Sequence, residues 1–264
     1  MASIVSSLLK IFRRRKAPPL QCSISLDPSG NPIADDPDHK HTSACFIPFE
    51  ALAVAELFQS QGCAACPPAL PAIHDATMSP NVLLLTYNVT LFDHLGWKDT
   101  FASSAWDARH RAYAKHWQRN NLFTPQVVVN GVVDTNAAGG KAAVTDLVAS
   151  ARNMHGAMDW HIYLDANDSE IRIDSDKSEI EAHDILVVVY SSMDEVVKVG
   201  KGPNKGKKIR HVNVVKNVMK IGEWHGGNLS VMLPAPKSAM KHGEEAAVLV
   251  QGGSGGPIVA SVKV

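Results

Sequence analysis

Val54-Ala-Glu-Leu-Phe-Gln-Ser-Gln-Gly-Cys63-Ala-Ala-Cys66-Pro-Pro-Ala-Leu-Pro71 decides the reading of this chain. It opens with an apolar run of strand type. Gly62 then turns the chain, and two cysteines follow with Ala64-Ala65 between them. Pro67 and Pro68 suit the start of a helix, where the first N–H groups have no intrahelical partner and a proline ring costs little. A thiol in such a first turn faces unpaired N–H groups and the positive end of the helix dipole, and both favour the thiolate. The second cysteine, three residues on, lies on the same side of that turn. It is placed to resolve a mixed disulfide or to close an internal one.

A Cys-x-x-Cys at a strand-to-helix junction is the thioredoxin-like redox arrangement. The same spacing serves half a zinc site, and two inert buried thiols would leave the same pattern. Zinc needs two further ligands. The two remaining cysteines, Cys22 and Cys45, stand far upstream without motif spacing. Cys63 is therefore expected to be the attacking thiolate, more exposed and more acidic than Cys66, the resolving thiol. Metal handling, with the pair and His94 as ligands, stays open beside this reading.

The strand-helix order continues past the cysteines. Asn81-Val-Leu-Leu-Leu-Thr-Tyr-Asn-Val89 reads as a strand buried on both faces, parallel to the first. An aromatic loop, Thr90 to Asp99, supplies Phe92 and Trp97 as candidate walls of a substrate cleft. A helix follows from Ser104 to His116, with Ser103 or Ser104 as N-cap. Thr124-Pro125 stands directly before the β-branched run Gln126-Val-Val-Val129. This is where a thioredoxin-like chain places a cis-proline, with the preceding backbone free to pair with an extended substrate. Asn130-Gly131 reads as a hairpin turn, and Ala142 to Met154 as a closing helix.

From about residue 158 the pattern changes to short β-rich runs between polar or glycine-containing turns, the rhythm of an antiparallel sandwich or barrel. The runs are Trp160–Leu164, Glu170–Ile173, Ile185–Tyr190, Val196–Val199, Ile209–Val215, Asn228–Leu233, Ala247–Val250 and Ile258–Val262. The basic stretch Gly200 to His211 reads as a solvated hairpin loop, with phosphate or acidic-partner binding as its functional alternative. Gly252-Gly-Ser254-Gly-Gly-Pro257 looks like a protease nucleophile loop, but no base or orienting carboxylate accompanies it. It reads as a turn between strands.

The expected architecture is an α/β thioredoxin-like domain followed by a β-rich, sandwich-like domain. The boundaries are 1–45 for a targeting or disordered segment and linker, 46–156 for the Cys-x-x-Cys domain, and 157–264 for the β-rich domain. Four cysteines in 264 residues are too few for a disulfide scaffold. A formal net charge of +0 gives no global pull toward nucleic acid. No apolar run approaches the ~20 residues of a membrane helix. The N-terminus is acid-poor, with basic Arg13 to Lys16 behind an amphipathic Ile4 to Phe12. That order suits a mitochondrial transit peptide or a plain cytoplasmic tail and not a secretory signal. Asp35, Asp36, Asp38, His39 and His41 read as a solvated polar loop.

Several segments together resemble one family. They are Glu56 to Pro68, Leu95-Gly-Trp-Lys-Asp99, Phe101-Ala-Ser103, Arg109-His-Arg-Ala-Tyr113, Thr124 to Gly131, Gly200 to Gly206, His211-Val-Asn-Val-Val215 and Ala247 to Gln251. This set is similar to the DUF1223 family, a thioredoxin-like family of undefined function, over roughly residue 50 to the C-terminus. The resemblance implies the fold and a single site holding Cys63, Cys66 and Pro125. Family members often carry His and Asp where this chain has Asn88 and Thr90. The function expected is thiol–disulfide exchange by Cys63 and Cys66, with Thr124, Pro125, Phe92 and Trp97 as substrate-binding residues. No cofactor or metal is expected, and the partner is a protein or small-molecule thiol or disulfide. The rival is a binding or assembly protein that kept the fold and lost the chemistry.

Overall fold

A computed structural model of the chain describes residues 51–264. The expectations on residues 1–45, including Cys22, Cys45 and the Asp35–His41 cluster, lie outside the described residues. Strand β1 (Ala53–Gln59) and β2 (Val82–Asn88) are buried along their whole length and pair in parallel. They are joined through helix α1 (Cys66–Thr77). Parallel strands with both faces covered need side chains that are apolar on both sides, and Val-Leu-Leu-Leu of β2 meets that need. Helix α2 (Ser104–His116) starts at Ser103, whose hydroxyl accepts from the Ala105 N–H at 3.2 Å. Strand β3 (Gln126–Val129) pairs antiparallel with β1, and β4 (Val133–Thr135) pairs with β3. Asn130 and Gly131 make the turn between β3 and β4, both with positive φ. Helix α3 (Gly140–Gly156) completes this half. The sheet order is β2-β1-β3-β4.

The second half is strand-rich, as its sequence rhythm predicts. Strands β5 (Ile162–Ala166) and β6 (Glu170–Ser175) form a hairpin. Next come β7 (His183–Ser191), β8 (Glu195–Lys198), β9 (Lys208–His211), β10 (Val215–Trp224), β11 (Leu229–Met232), β12 (Glu244–Gln251) and β13 (Ile258–Lys263). They make a four-stranded sheet of order β10-β7-β12-β13, a three-stranded sheet β11-β6-β5, and the small hairpin β8–β9.

The run expected from Ile209 to Val215 is not one strand. It breaks at Asn213, whose φ of 50° is unlike a strand's. There the chain leaves the hairpin and crosses to the outer edge of β2. The Thr86 N–H donates to Asn213 O at 2.9 Å, the Thr86 hydroxyl to Val212 O at 2.6 Å, and the Asn213 amide to Leu84 O at 2.9 Å. Strand β10 itself escaped the sequence reading because its middle, Lys-Asn-Val-Met-Lys-Ile-Gly-Glu, is only partly buried.

Strand alternation explains how the layers join. On β7, Leu186, Val188 and Tyr190 face one way and Ile185 and Val187 the other. The first set packs with Val54, Phe58, Leu83, Leu85 and Tyr87 of the first sheet and with Trp106 and Tyr113 of α2. The second set packs with Ile171 and Ile173 of the three-stranded sheet and with Trp224. On the far face of the first sheet, Ala55, Leu57, Val127 and Val129 meet α1, α3 and the hairpin residues Val199 and Ile209. The glycine-rich segment 252–257 is the turn between β12 and β13, as expected. A side chain on Gly255 would come within 2.4 Å of the Ala112 backbone, so only glycine lets this turn rest on α2.

Candidate functional site

Cys63 and Cys66 lie at the C-terminal end of β1, and both are free thiols. Helix α1 begins at Cys66, with Ala65 as its N-cap. Cys63 therefore sits three residues before the helix, not within its first turn as the spacing suggested. The Cys66 N–H reaches back to Cys63 O at 3.4 Å and closes the turn. Ala64 and Ala65 are exposed while the cysteines beneath them are 3% and 1% exposed. Cys63 is the more exposed of the two, as expected, but only slightly, because its Sγ turns inward and donates to Thr124 O at 3.3 Å.

The two thiols differ sharply in acidity. Cys63 is lowered to about 6, first by the hydrogen bond from Cys66, against burial, and then by Thr124 and by the backbone N–H groups of Ala65 and Cys66. Those N–H groups stand at the helix start, where donors lack an intrahelical partner, and the Cys66 N–H also reaches Cys63 O. Cys66 is pushed well above the usual thiol range, by burial first and then by Cys63. The order expected from the motif, an acidic first thiol and a reluctant second, holds in direction.

Thr124–Pro125 is a cis peptide bond and lies at the cysteine pair, as expected. The Thr124 hydroxyl is buried and unbonded beside the two thiols, where it favours a thiolate on either. Phe92 borders the same turn, since a side chain on Gly62 would meet Phe92 O at 2.9 Å. Trp97 reaches the turn indirectly: its indole N–H donates to Gln61 Oε1 at 2.9 Å, and its ring lies over Gly200. Among the described residues no group of three or more His, Cys, Asp or Glu side chains is gathered as a metal site.

Behind the cysteines lies a buried polar cluster that the sequence reading missed. The Gln61 N–H donates to Asp99 Oδ2 at 2.7 Å, and Asn88 donates to both Asp99 oxygens at 3.1 and 2.9 Å. Burial outweighs these donors and raises the Asp99 carboxyl above its usual range. The amides of Gln59 and Gln61 face the two ring nitrogens of His211 at 2.8 and 3.3 Å. Burial lowers His211 to about 4, reinforced by His74 and Lys216, so this ring is neutral at pH 7. Asn204, from the basic loop read as solvated, donates to Gln61 O at 2.9 Å and Cys63 O at 2.7 Å. Asn88, where the resemblance implied a departure from the family, is a partner of Asp99. Thr90 donates to Asp107 Oδ2 at 2.6 Å and so ties the loop to α2.

A second buried cluster opens from the other face of β1. Glu56 is fully buried and accepts from Arg109 Nε at 2.6 Å and Nη2 at 3.0 Å, and from the Tyr113 hydroxyl. Gln251 accepts from Arg109 at 3.1 Å and donates to the Tyr113 oxygen at 3.1 Å. This cluster joins β1, α2 and β12. The signal for both clusters was present in the sequence: Glu56, Gln61, Asp99, Arg109, Tyr113, Asn204, His211 and Gln251 all fall in segments that carry the family resemblance.

A search of curated proteins gave no match. Among solved structures, the crystal structure of protein AGR_C_4864 from Agrobacterium tumefaciens is similar at 29% identity and a TM-score of 0.64, covering 81% of this chain and 94% of that one. HBP35 of Porphyromonas gingivalis is similar at 11% identity and a TM-score of 0.55, covering 82% of this chain and 75% of that one; this is a likeness of fold. The family described as "protein of unknown function (DUF1223)" matches residues 54–251. That match spans both buried clusters, the cysteine turn and the Thr124–Pro125 bond, and the chain belongs to the DUF1223 family.

Proposed function

We propose that the chain is a thiol–disulfide oxidoreductase with a thioredoxin-like first half. The observation that carries the proposal is the asymmetric dithiol, one sulfur acidified and one held protonated, against the carbonyl that precedes a cis-proline. The parallel β1–β2 pair, the antiparallel β3–β4 pair and a helix starting at the second cysteine support the fold reading. The Cys63 thiolate attacks one sulfur of a substrate disulfide. That S–S bond breaks, the second substrate sulfur leaves as a thiolate that takes up a proton, and a Cys63–substrate disulfide forms. Cys66 then gives up its proton and attacks the Cys63 sulfur, and the remaining substrate sulfur leaves as a thiol. The substrate is reduced by two electrons and the pair is oxidised to an internal disulfide, which an external dithiol must reduce. Thr124 would hold the substrate backbone, with Phe92 beside the entry.

Burial of both sulfurs is the observation that favours the rival reading, a binding protein on the same fold. A titration against reduced and oxidised glutathione separates the two. The wild type should exchange reversibly between dithiol and internal disulfide, and Cys63→Ser should not. A wild-type pair that stays reduced across the titration, in folded protein, would leave the binding reading standing.

A further inference from the structure

The loop between β8 and β9 carries one buried residue among exposed ones. From Lys201 to Lys208 every residue is exposed except Asn204, which is 0% exposed. Its side-chain amide meets two carbonyls of the cysteine turn, Gln61 O at 2.9 Å and Cys63 O at 2.7 Å. Lys207 Nζ donates to Asn204 Oδ1 at 2.9 Å. An ammonium has only donors to offer, so it selects the amide oxygen and turns the NH2 group onto the carbonyls. The Cys63 carbonyl that Asn204 grips is the same atom that accepts the Cys66 N–H and closes the turn into α1. Gln61 is held from further sides as well, by Asp99 on its N–H and by Trp97 and Thr100 on its side chain.

We infer that Asn204 is a positioning residue of the thiol site, set in place by Lys207. By fixing the Gln61 and Cys63 carbonyls it holds the turn that presents the Ala65 and Cys66 N–H groups to the Cys63 sulfur. The β8–β9 hairpin is then a working part of the site. Without this grip Gln61 O loses its amide donor and Cys63 O keeps only the long 3.4 Å bond from the Cys66 N–H, so the turn relaxes by rotating its peptide planes. Rotation carries the neighbouring N–H groups away from the sulfur. The inference deepens the proposed thiol chemistry and rests on it for its purpose, though not for its test.

The test uses the full chain, reduced, with three measurements on the same samples: thiolate ultraviolet absorbance against pH, reduction potential against glutathione, and the urea unfolding midpoint. Asn204→Ala should raise the pH midpoint of the more acidic thiol by about one unit, a roughly tenfold loss of thiolate below that midpoint. Lys207→Gln, at an exposed position, should move it the same way by less. Wild-type thiol midpoints in both variants, with only the unfolding midpoint lowered, would reduce Asn204 to a structural role and overturn the inference. If Asn204→Ala does not fold, Lys207→Gln decides by the same criterion. If the wild type shows an acidic thiol and no reversible couple, the redox reading fails, while the inference still stands or falls on whether the variants shift the thiol.

Discussion

Glu56 and Gln59, three residues apart on β1, lead into buried clusters of opposite character. The Glu56 cluster is ionic and closed. Arg109 forks onto the carboxylate, lies over the Tyr87 and Tyr113 rings at 5.6 and 5.5 Å, and is finished by Gln251 from the far end of the chain. The Gln59 side is built from amides, a neutral imidazole and a carboxyl whose burial disfavours charge. The first arrangement fixes two halves of the molecule to each other, because breaking one ion leaves the other stranded. The second sets the turn at Cys63 among amides, a neutral imidazole and a carboxyl whose acidity burial weakens, with no ion pair between them.

The sharpest way to test that contrast is to remove the guanidinium. Arg109→Met should cost about 3–5 kcal/mol in urea unfolding, the range for stranding one member of a buried pair. Adding Glu56→Leu should return part of that loss. The thiol midpoint of Cys63 should hardly move in either variant. A loss below about 1 kcal/mol would place this pair with surface ion pairs and dissolve the contrast.

A second effect follows from pH. The folded midpoint of Cys63 is lowered from 9.0 to about 6. A lowered acid contributes stability fully above its unfolded midpoint and loses it as pH falls through its folded midpoint. The unfolding free energy of the reduced wild type, less that of Cys63→Ser, should therefore grow from pH 6 to pH 9. Cys66 is shifted the other way, so its own contribution is lost only at higher pH. A flat difference across this window would mean that the sulfur gains nothing from its surroundings.

The smallest effect probes the Gln59 side. A side chain on Gly200 would come within 2.7 Å of Trp97 Cζ3. Gly200→Ala should cost about 1 kcal/mol, since the ring must shift to make room. Because Trp97 holds the Gln61 side chain, the same variant should slow alkylation of Cys63 near neutral pH. Unchanged alkylation would show that Gln61 keeps its place without Trp97.

Local chemistry made the first half legible. Proline after Cys66, Ser103 before α2, Asn130-Gly131 between apolar runs and Thr-Pro before a β-branched run each act within a few residues. The missed features are those whose cause lies far along the chain. Glu56 reads as an interruption of an apolar strand until Arg109, 53 residues away, meets it. Asn204 reads as a loop residue until a carbonyl 141 residues upstream claims it. The acidity of Cys63 was legible in direction from helix-start chemistry, but its burial was not, because nothing near Cys63 in sequence shows that Thr124 O draws the sulfur inward.

The crossing of Val212 to Val214 over β2 has a consequence away from the cysteine site. Strand β2 is the end strand of its sheet, and Val-Leu-Leu-Leu-Thr-Tyr is a long uncharged apolar segment. A bare edge of that kind is a template on which other chains add and aggregate. The bonds of Thr86 and Leu84 to Val212 and Asn213 occupy that edge. The second half thus shields the most adhesive strand of the first, and a chain still emerging from the ribosome carries that edge uncovered until residue 213 has been made.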